Sequence, residues 1–364
     1  MVHAFIRRQE AALRNKLFLA FTVCMVAAAL IGCSPKDTDT MAKAQSALDE
    51  GDLENAVALY DAAIEEGKQL QACYRGKGIA LMEKMEYKSA EEAFIKALDS
   101  ATFIEEKLYR DGMSEDIRRY LASCYIHSDE PEKAILIYDA LIDKNDENAL
   151  LFMERGTAKA AAGDLDSAKA DFDKAINMDR MNYERILEIA QTLEKYGGKK
   201  IGKGYLDGVT ASGGINMDPV LKGKILYFLE DYKGAVELLS SHAAQDERAA
   251  LIVCRCHIAL DDTAAAKEVI ESFGTRADTS AEMLNLLGSI YMKQKKYADA
   301  AETFERAVTA AKGTPELQTS MFNRAAAYEY AGDFEKAKEL FIDYLNQYSG
   351  DEDARREMVF LKTR

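Results

Sequence analysis

The sequence predicts an all-α solenoid of antiparallel helix pairs, and three observations carry that expectation. Residues 149–181, ALLFMERGTAKAAAGDLDSAKADFDKAINMDRM, hold two helical apolar patterns joined at Gly163-Asp164. The same spacing of small and large residues returns along most of the 364-residue chain. Four prolines and no tryptophan stand beside abundant Ala, Glu, Lys and Leu, a composition that favours helix throughout. Short helix pairs bury their apolar faces only by stacking on one another, so such a chain is a scaffold whose role is set by the faces it leaves exposed.

The first stretch is of another kind. Arg7, Arg8, Arg14 and Lys16 precede the apolar run LFLAFTVCMVAAALIG, which ends in small residues just before Cys33. That is the layout of an export signal, and the run is shorter than the roughly twenty residues a membrane-spanning helix needs. Leu30-Ile31-Gly32-Cys33 matches the lipobox, so this end resembles the bacterial lipoproteins. The resemblance implies a signal peptide over 1–32, cleavage after Gly32, diacylglycerol on the Cys33 thiol and acylation of the new amino terminus. It also implies a protein anchored by lipid in the bacterial cell envelope, with the remainder outside the cytoplasm. Acyl chains hold such a domain at a bilayer by burying their methylene groups. Ser34 follows where that family's inner-membrane retention signal has Asp. The lipidated terminus and a tether with no apolar periodicity, SPKDTDT, occupy residues 33–40.

From Met41 the chain reads as helix-turn-helix units of roughly 34 residues. Ala44, Gly51, Ala56, Tyr60 and Ala63 mark the first, and Gly78, Leu81, Ala90, Phe94 and Ala97 the second. After Phe103 an insertion of about ten residues extends the second helix through IEEKLYR. The third unit carries Ala122, Tyr125, Ala134, Tyr138 and Leu141, with Pro131 in the first turn of its second helix; the fourth is the segment quoted above. The fifth keeps a regular first helix in YERILEIAQTLEKYGG, but its second half, KKIGKGYLDGVTASGG, is rich in glycine; it reads as close packing against the next unit, or as a hinge or binding loop. Units six and seven retain Gly223, Leu226, Ala235 and Leu239, then Cys254, Ala266 and Ile270. Unit eight is strong, with Gly288, Tyr291, Ala300, Phe304 and Ala307, and unit nine follows with Ala325, Tyr328, Gly332, Ala337 and Phe341. These residues resemble the tetratricopeptide repeat. The resemblance implies a right-handed superhelix of about nine units over 41–350, with 351–364 as a C-terminal capping helix.

Little in the chain points to chemistry. Net charge is -15, and because residues 1–32 hold four basic and one acidic residue, the remainder carries -18, which disfavours nucleic acid as a partner. The histidines at 3, 127, 242 and 257 form no metal-binding motif. Cys254 and Cys256 point in different directions on a helix, and with Cys73 and Cys124 they read as small buried side chains. No catalytic residue, metal site or cofactor is predicted, and the chain is read as non-enzymatic.

The expected site is a groove. In the tetratricopeptide family the first helices line the concave face, and the family's inward positions, carried over, include Gln191 and Glu329 and single out Arg75, Arg119, Met153, Lys224, Tyr227, Phe228, Arg255, Phe322 and Tyr330 as groove contacts. Aromatic and flexible apolar anchors framed by polar groups suit a peptide or protein segment. The expectation is a membrane-tethered protein-interaction scaffold in envelope assembly or secretion. The alternative is an extracytoplasmic module for a small molecule or glycan, with its site near units five and six. Relatives that clamp a chaperone carboxyl terminus use an Asn at the ninth repeat position. Here that position holds Ile79, Ser123, Thr157, Gln191, Lys224, Arg255, Ser289 and Ala326, so that clamp is not expected.

Overall fold

Nineteen α-helices make up the described residues of the computed structural model, which are 39–101, 112–211, 213, 217–274, 279–312 and 314–364. The signal, Cys33, most of the tether and the insertion after Phe103 lie outside them. The helices run in nine consecutive pairs: α1 (Asp39–Asp49) with α2 (Leu53–Glu65), α3 (Leu70–Glu83) with α4 (Tyr87–Asp99), α5 (Gly112–His127) with α6 (Pro131–Ile142), and α7 (Ala149–Ala161) with α8 (Leu165–Met178). Next come α9 (Tyr183–Lys195) with α10 (Lys199–Ala211), α11 (Pro219–Phe228) with α12 (Tyr232–Ala243), and α13 (Glu247–Ala259) with α14 (Thr263–Gly274). The last pairs are α15 (Ala281–Lys293) with α16 (Tyr297–Ala310) and α17 (Glu316–Ala331) with α18 (Phe334–Gln347), followed by α19 (Glu352–Leu361). The fold class is the expected all-α solenoid of antiparallel helix pairs.

One turn geometry joins every pair. A single residue at positive φ ends the first helix: Gly51, Met85, Asp129, Gly163, Gly197, Glu230, Asp261, Lys295 and Gly332 in chain order. The amide of the next residue then reaches back five residues to a carbonyl of the first helix, at 2.6–3.0 Å in all nine turns. This is the helix-ending motif that satisfies otherwise orphaned carbonyls. The residue that donates this bond also starts the second helix. Asp52, Asp164, Asp231, Asp262 and Asp333 each accept an amide three residues on, which caps that helix.

The constant turn puts a small residue of the first helix against a large one of the second. An added Cβ at Gly156 would stand 2.7 Å from the Phe172 ring, and one at Gly78 would stand 2.5 Å from the Phe94 ring. Gly223 meets Leu239 and Gly288 meets Phe304 in the same way. Phe94, Phe172 and Phe304 are fully buried as a result. In the glycine-rich unit the second helix forms as α10 despite Gly202, Gly204 and Gly208. Gly202 is buried, and a Cβ there would stand 2.8 Å from the Ala190 carbonyl oxygen on α9. The close packing is thus against the unit's own first helix, where two backbones touch, and not against the next unit as the sequence reading has it.

By backbone contact the described chain forms two compact units, 39–179 with 343–356 and 180–342 with 357–364. In the first, the C-terminal segment docks on the turn between α3 and α4. The Gly350 amide donates to the Lys84 carbonyl at 3.1 Å, and the Ser349 hydroxyl donates to Glu86. A side chain at 350 would strike the Met85 carbonyl, so glycine is required by the approach. Tyr344 donates to Asp351 at 2.5 Å, and Asp351 caps α19 through the amides of Asp353 and Ala354. In the second unit Phe322 packs edge-on to Phe341 and Phe334 edge-on to Phe360, closing its last hairpin.

The turn argument is open to test at Lys295-Lys296, which combines a left-handed lysine with a helix start that lacks a side-chain cap. Replacing the pair by Gly-Asp, as found at Gly163-Asp164, removes the Cβ strain and supplies the missing acceptor. The double variant is expected to gain about 1–2 kcal/mol. A higher urea midpoint at unchanged slope is the expected reading; an unchanged or lower midpoint would refute it.

Candidate functional site

At several steps within each compact unit the first helix of one pair presents long polar side chains to the first helix of the next, and arginines dominate that seam. Arg75 on α3 donates to Asp116 on α5, with its Nε at 2.7 Å, and its guanidinium lies over the Tyr120 ring. Arg119 on α5 forks onto Glu154 on α7, its Nε at 2.9 and 3.1 Å from the two carboxylate oxygens and its Nη2 at 2.5 Å. Such two-oxygen pairing is the strong form of an arginine–carboxylate bond. Burial pushes the Glu154 carboxyl upward, and Arg119 opposes that rise. Arg155 turns the other way and bridges Asp139 and Asp171 on the second helices α6 and α8 at 2.7–2.8 Å. In the second compact unit Arg255 on α13 pairs with Glu282 on α15. Neutral groups continue the seam: Asn285 donates to Ser320 at 2.8 Å and accepts from Asn323 at 3.1 Å, all three buried.

Arg75, Arg119 and Arg255, read from the sequence as groove contacts, are therefore engaged between adjacent repeats. Phe228 and Phe322 are buried in their hairpins. Met153 and Tyr227 are half-buried, Tyr227 resting against Tyr232, and Lys224 is exposed. Tyr330 leans on Tyr297 with ring centroids 5.7 Å apart, and burial raises its hydroxyl pKa. Of this lining Met153 belongs to the first compact unit, and Lys224, Tyr227 and Tyr330 belong to the second.

Two glutamates on first helices, Glu83 and Glu188, stand outside the lining read from the sequence, while Glu329 belongs to it. Burial pushes Glu83, Glu188 and Glu329 each to about 7, with Asp49, Glu184 and Glu357 respectively adding to the rise. Arg185 opposes the shift at Glu188. Glu188 Oε2 and Gln191 Oε1, one turn apart on α9, are both buried from water and have no hydrogen-bond partner. The signal was in the spacing: Glu188 follows Glu154 by 34 residues. The four described cysteines are buried free thiols, and burial pushes Cys254 and Cys256 up to about 12. Among the described residues no group of three or more His, Cys, Asp or Glu side chains is placed to hold a metal ion. Among the same residues no helix is long and apolar enough to cross a membrane.

Paired antiparallel helices of this turn and packing define a helical-repeat protein. Family models of the tetratricopeptide repeat match residues 41–103 and 279–349, the first two and last two helix pairs, so those two stretches are tetratricopeptide repeats. Tetratricopeptide repeat protein 16 of Homo sapiens is 27% identical over 130 residues, and that of Mus musculus is 24% identical over 151. These alignments cover 35% and 41% of this chain but only 15% and 20% of the two relatives' lengths. Among solved structures, YrrB, described as a tetratricopeptide-repeat protein with an unusual peptide-binding site, aligns with 54% of this chain and 89% of its own, at 21% identity and a TM-score of 0.36. A tetratricopeptide repeat protein from Parabacteroides merdae aligns over 79% of this chain and 100% of its own, at 19% identity and a TM-score of 0.40. Yeast Tom70 aligns over 100% and 86%, at 13% identity and a TM-score of 0.48.

The raised carboxyls give a pH prediction. A carboxyl whose pKa is higher in the folded chain than in the unfolded one favours the native state when protonated. Its contribution is complete below the unfolded pKa, about 4.3, and is lost as pH rises through about 7. The urea midpoint is expected to fall from pH 5 to pH 8. Glu188→Gln, which imitates the protonated side chain, is expected to flatten that fall. A pH dependence identical to that of the parent would show that Glu188 does not titrate in this range.

Proposed function

We propose that the chain is a non-catalytic scaffold that holds a peptide or protein segment along the exposed parts of its first helices. The observation that carries this reading is the division of labour on those helices. Arg75, Arg119 and Arg255 fix one repeat against the next, while Lys224 stays exposed and Tyr227 and Tyr330 are only partly buried. Tyrosine rings are common anchors in protein interfaces. The name given to YrrB includes peptide binding, which agrees with this reading. Net charge of -15 favours a partner that is not nucleic acid and carries basic segments of its own.

The same proposal places the repeats at a bacterial membrane. It rests on the Leu30-Ile31-Gly32-Cys33 lipobox and the basic and apolar stretch before it. Acylation of Cys33 would confine the repeats to the lipid surface outside the cytoplasm, where a segment-binding scaffold serves envelope assembly or secretion.

Two measurements test the two halves separately. A photo-crosslinking residue at Tyr227 is expected to capture a discrete partner in intact cells, and one at Leu136, on the second helix α6 and 69% exposed, is expected not to. Equal capture at both positions would overturn the first-helix site. Cys33→Ala is expected to abolish incorporation of a labelled fatty acid and to leave an uncleaved precursor. Normal acyl labelling of that variant would refute the anchor.

A further inference from the structure

We propose that Glu188 and Gln191 on α9 form a receptor for an arginine side chain of the bound segment. The inference rests on the reading of the first helices as a segment-binding surface and names the chemistry that one part of that surface selects.

The argument begins with the repeat period. Glu188 and Gln191 each lie 34 residues after Glu154 and Thr157, so Glu188 stands in its repeat where Glu154 stands in the one before. Glu154 is filled from within the chain, by the Arg119 guanidinium that forks onto both of its oxygens. The position of Arg119, moved on by the same 34 residues, holds Met153, so the chain's own series of arginines skips this step. Glu188 keeps the acceptor without a donor: its Oε2 has no hydrogen-bond partner, and neither does Gln191 Oε1 one turn further along the same helix.

An acceptor withdrawn from water and left without a donor is costly, and native chains rarely keep one without a reason. Here two of them lie three residues apart and therefore on one helical face. Both side chains are only half-buried, so part of each remains at the surface. Burial pushes the Glu188 carboxyl to about 7, and an incoming cation would reverse that rise. The adjacent Arg185 lowers the carboxyl's pKa without bonding to either orphaned oxygen.

Guanidinium suits this geometry better than ammonium. A carboxylate and an amide oxygen three residues apart offer two acceptors on one helical face, and the planar guanidinium carries five donors in a fixed fork, whereas an ammonium is a compact point donor. The filled repeat shows the same preference, since Glu154 is met by arginine through more than one nitrogen. The charge of the whole chain, -15, draws such a side chain in.

The test uses the full repeat chain and fluorescent decapeptide pools that are randomised except at one fixed central residue: arginine, lysine, citrulline or glutamate. Citrulline keeps the shape and removes the charge. By anisotropy, the arginine pool is expected to bind about tenfold more tightly than the citrulline pool, the size of effect one charge-assisted fork supplies. Glu188→Gln, which keeps the shape of the neutral side chain, and Gln191→Ala are each expected to erase that preference while the far-ultraviolet circular dichroism is unchanged. The Glu188 side-chain carboxyl resonance is expected to titrate at lower pH when the arginine pool is bound. Equal binding of all four pools, a lysine pool within threefold of arginine, no binding of any pool, or a preference that survives Glu188→Gln would each overturn the arginine receptor. Capture at Tyr227 in intact cells, persisting through any of those results, would show that the segment-binding surface stands and only its arginine chemistry has failed.

Discussion

Every hairpin in this chain depends on one backbone hydrogen bond. The amide that follows each left-handed residue reaches back five positions, and because it involves no side chain it is the same length in a Gly-Asp turn as in a Lys-Lys turn. Its constancy fixes where the second helix starts relative to the first. Residues sixteen apart then face each other, as Gly78 faces Phe94, Gly156 faces Phe172, Gly223 faces Leu239 and Gly288 faces Phe304. The small-against-large packing is thus a consequence of the turn, and one glycine in the first helix admits the fully buried ring of Phe94, Phe172 or Phe304 from the second.

Stacking between repeats follows a second rule, which is electrostatic. Arg75, Arg119 and Arg255 each take a carboxylate on the next first helix, and Asn285, Ser320 and Asn323 replace charge with a buried neutral network near the C-terminal end. An exposed ion pair contributes little, but a forked pair at a half-buried seam also fixes orientation, since the carboxylate cannot slide along the helix without losing one of two bonds. The seam holds each neighbour in angle as well as in distance. A scaffold gains from that stiffness, because a segment laid across several repeats meets side chains that are already in place.

The hairpins were legible because their signals are local. A Gly-Asp pair between two apolar periods marks a turn, and a glycine followed sixteen residues later by phenylalanine marks a contact, both within one repeat. Turns at Met85, Glu230 and Lys295 carry no such mark, and only the periodicity around them shows where they fall. The seam was not legible in the same way. Arg119 finds its carboxylate 35 residues away and Arg75 finds its own 41 away, so each looks in sequence like a free cation on a groove face. Gly202 was read as making room for the next unit, yet it makes room for Ala190 within its own pair, a distinction that rests on which face of α10 turns inward. The lipobox is legible in the sequence, and residues 30–33 lie outside the described structure.

A stack of repeats also explains how unmet hydrogen bonds persist on α9. Stability in such a fold is the sum of hairpin and neighbour terms, so a local penalty stays local. Two unpartnered acceptors at Glu188 and Gln191 cost about 1–3 kcal/mol each. The same helix buries Ile186, Leu187, Ile189, Ala190 and Leu193, whose transfer from water contributes about 1.5–3 kcal/mol for each large side chain. The apolar side of α9 therefore outweighs the defect on its polar side. Selection for stability alone would fill the position, as Arg119 fills Glu154 or as a hydrophobic residue would fill it more simply. A defect that the fold tolerates but does not need lies on α9, where the acceptor at the repeat position of Glu154 is kept and Met153 stands at the repeat position of Arg119. That combination is the physical condition for an outside donor to bind there with a gain the free chain lacks.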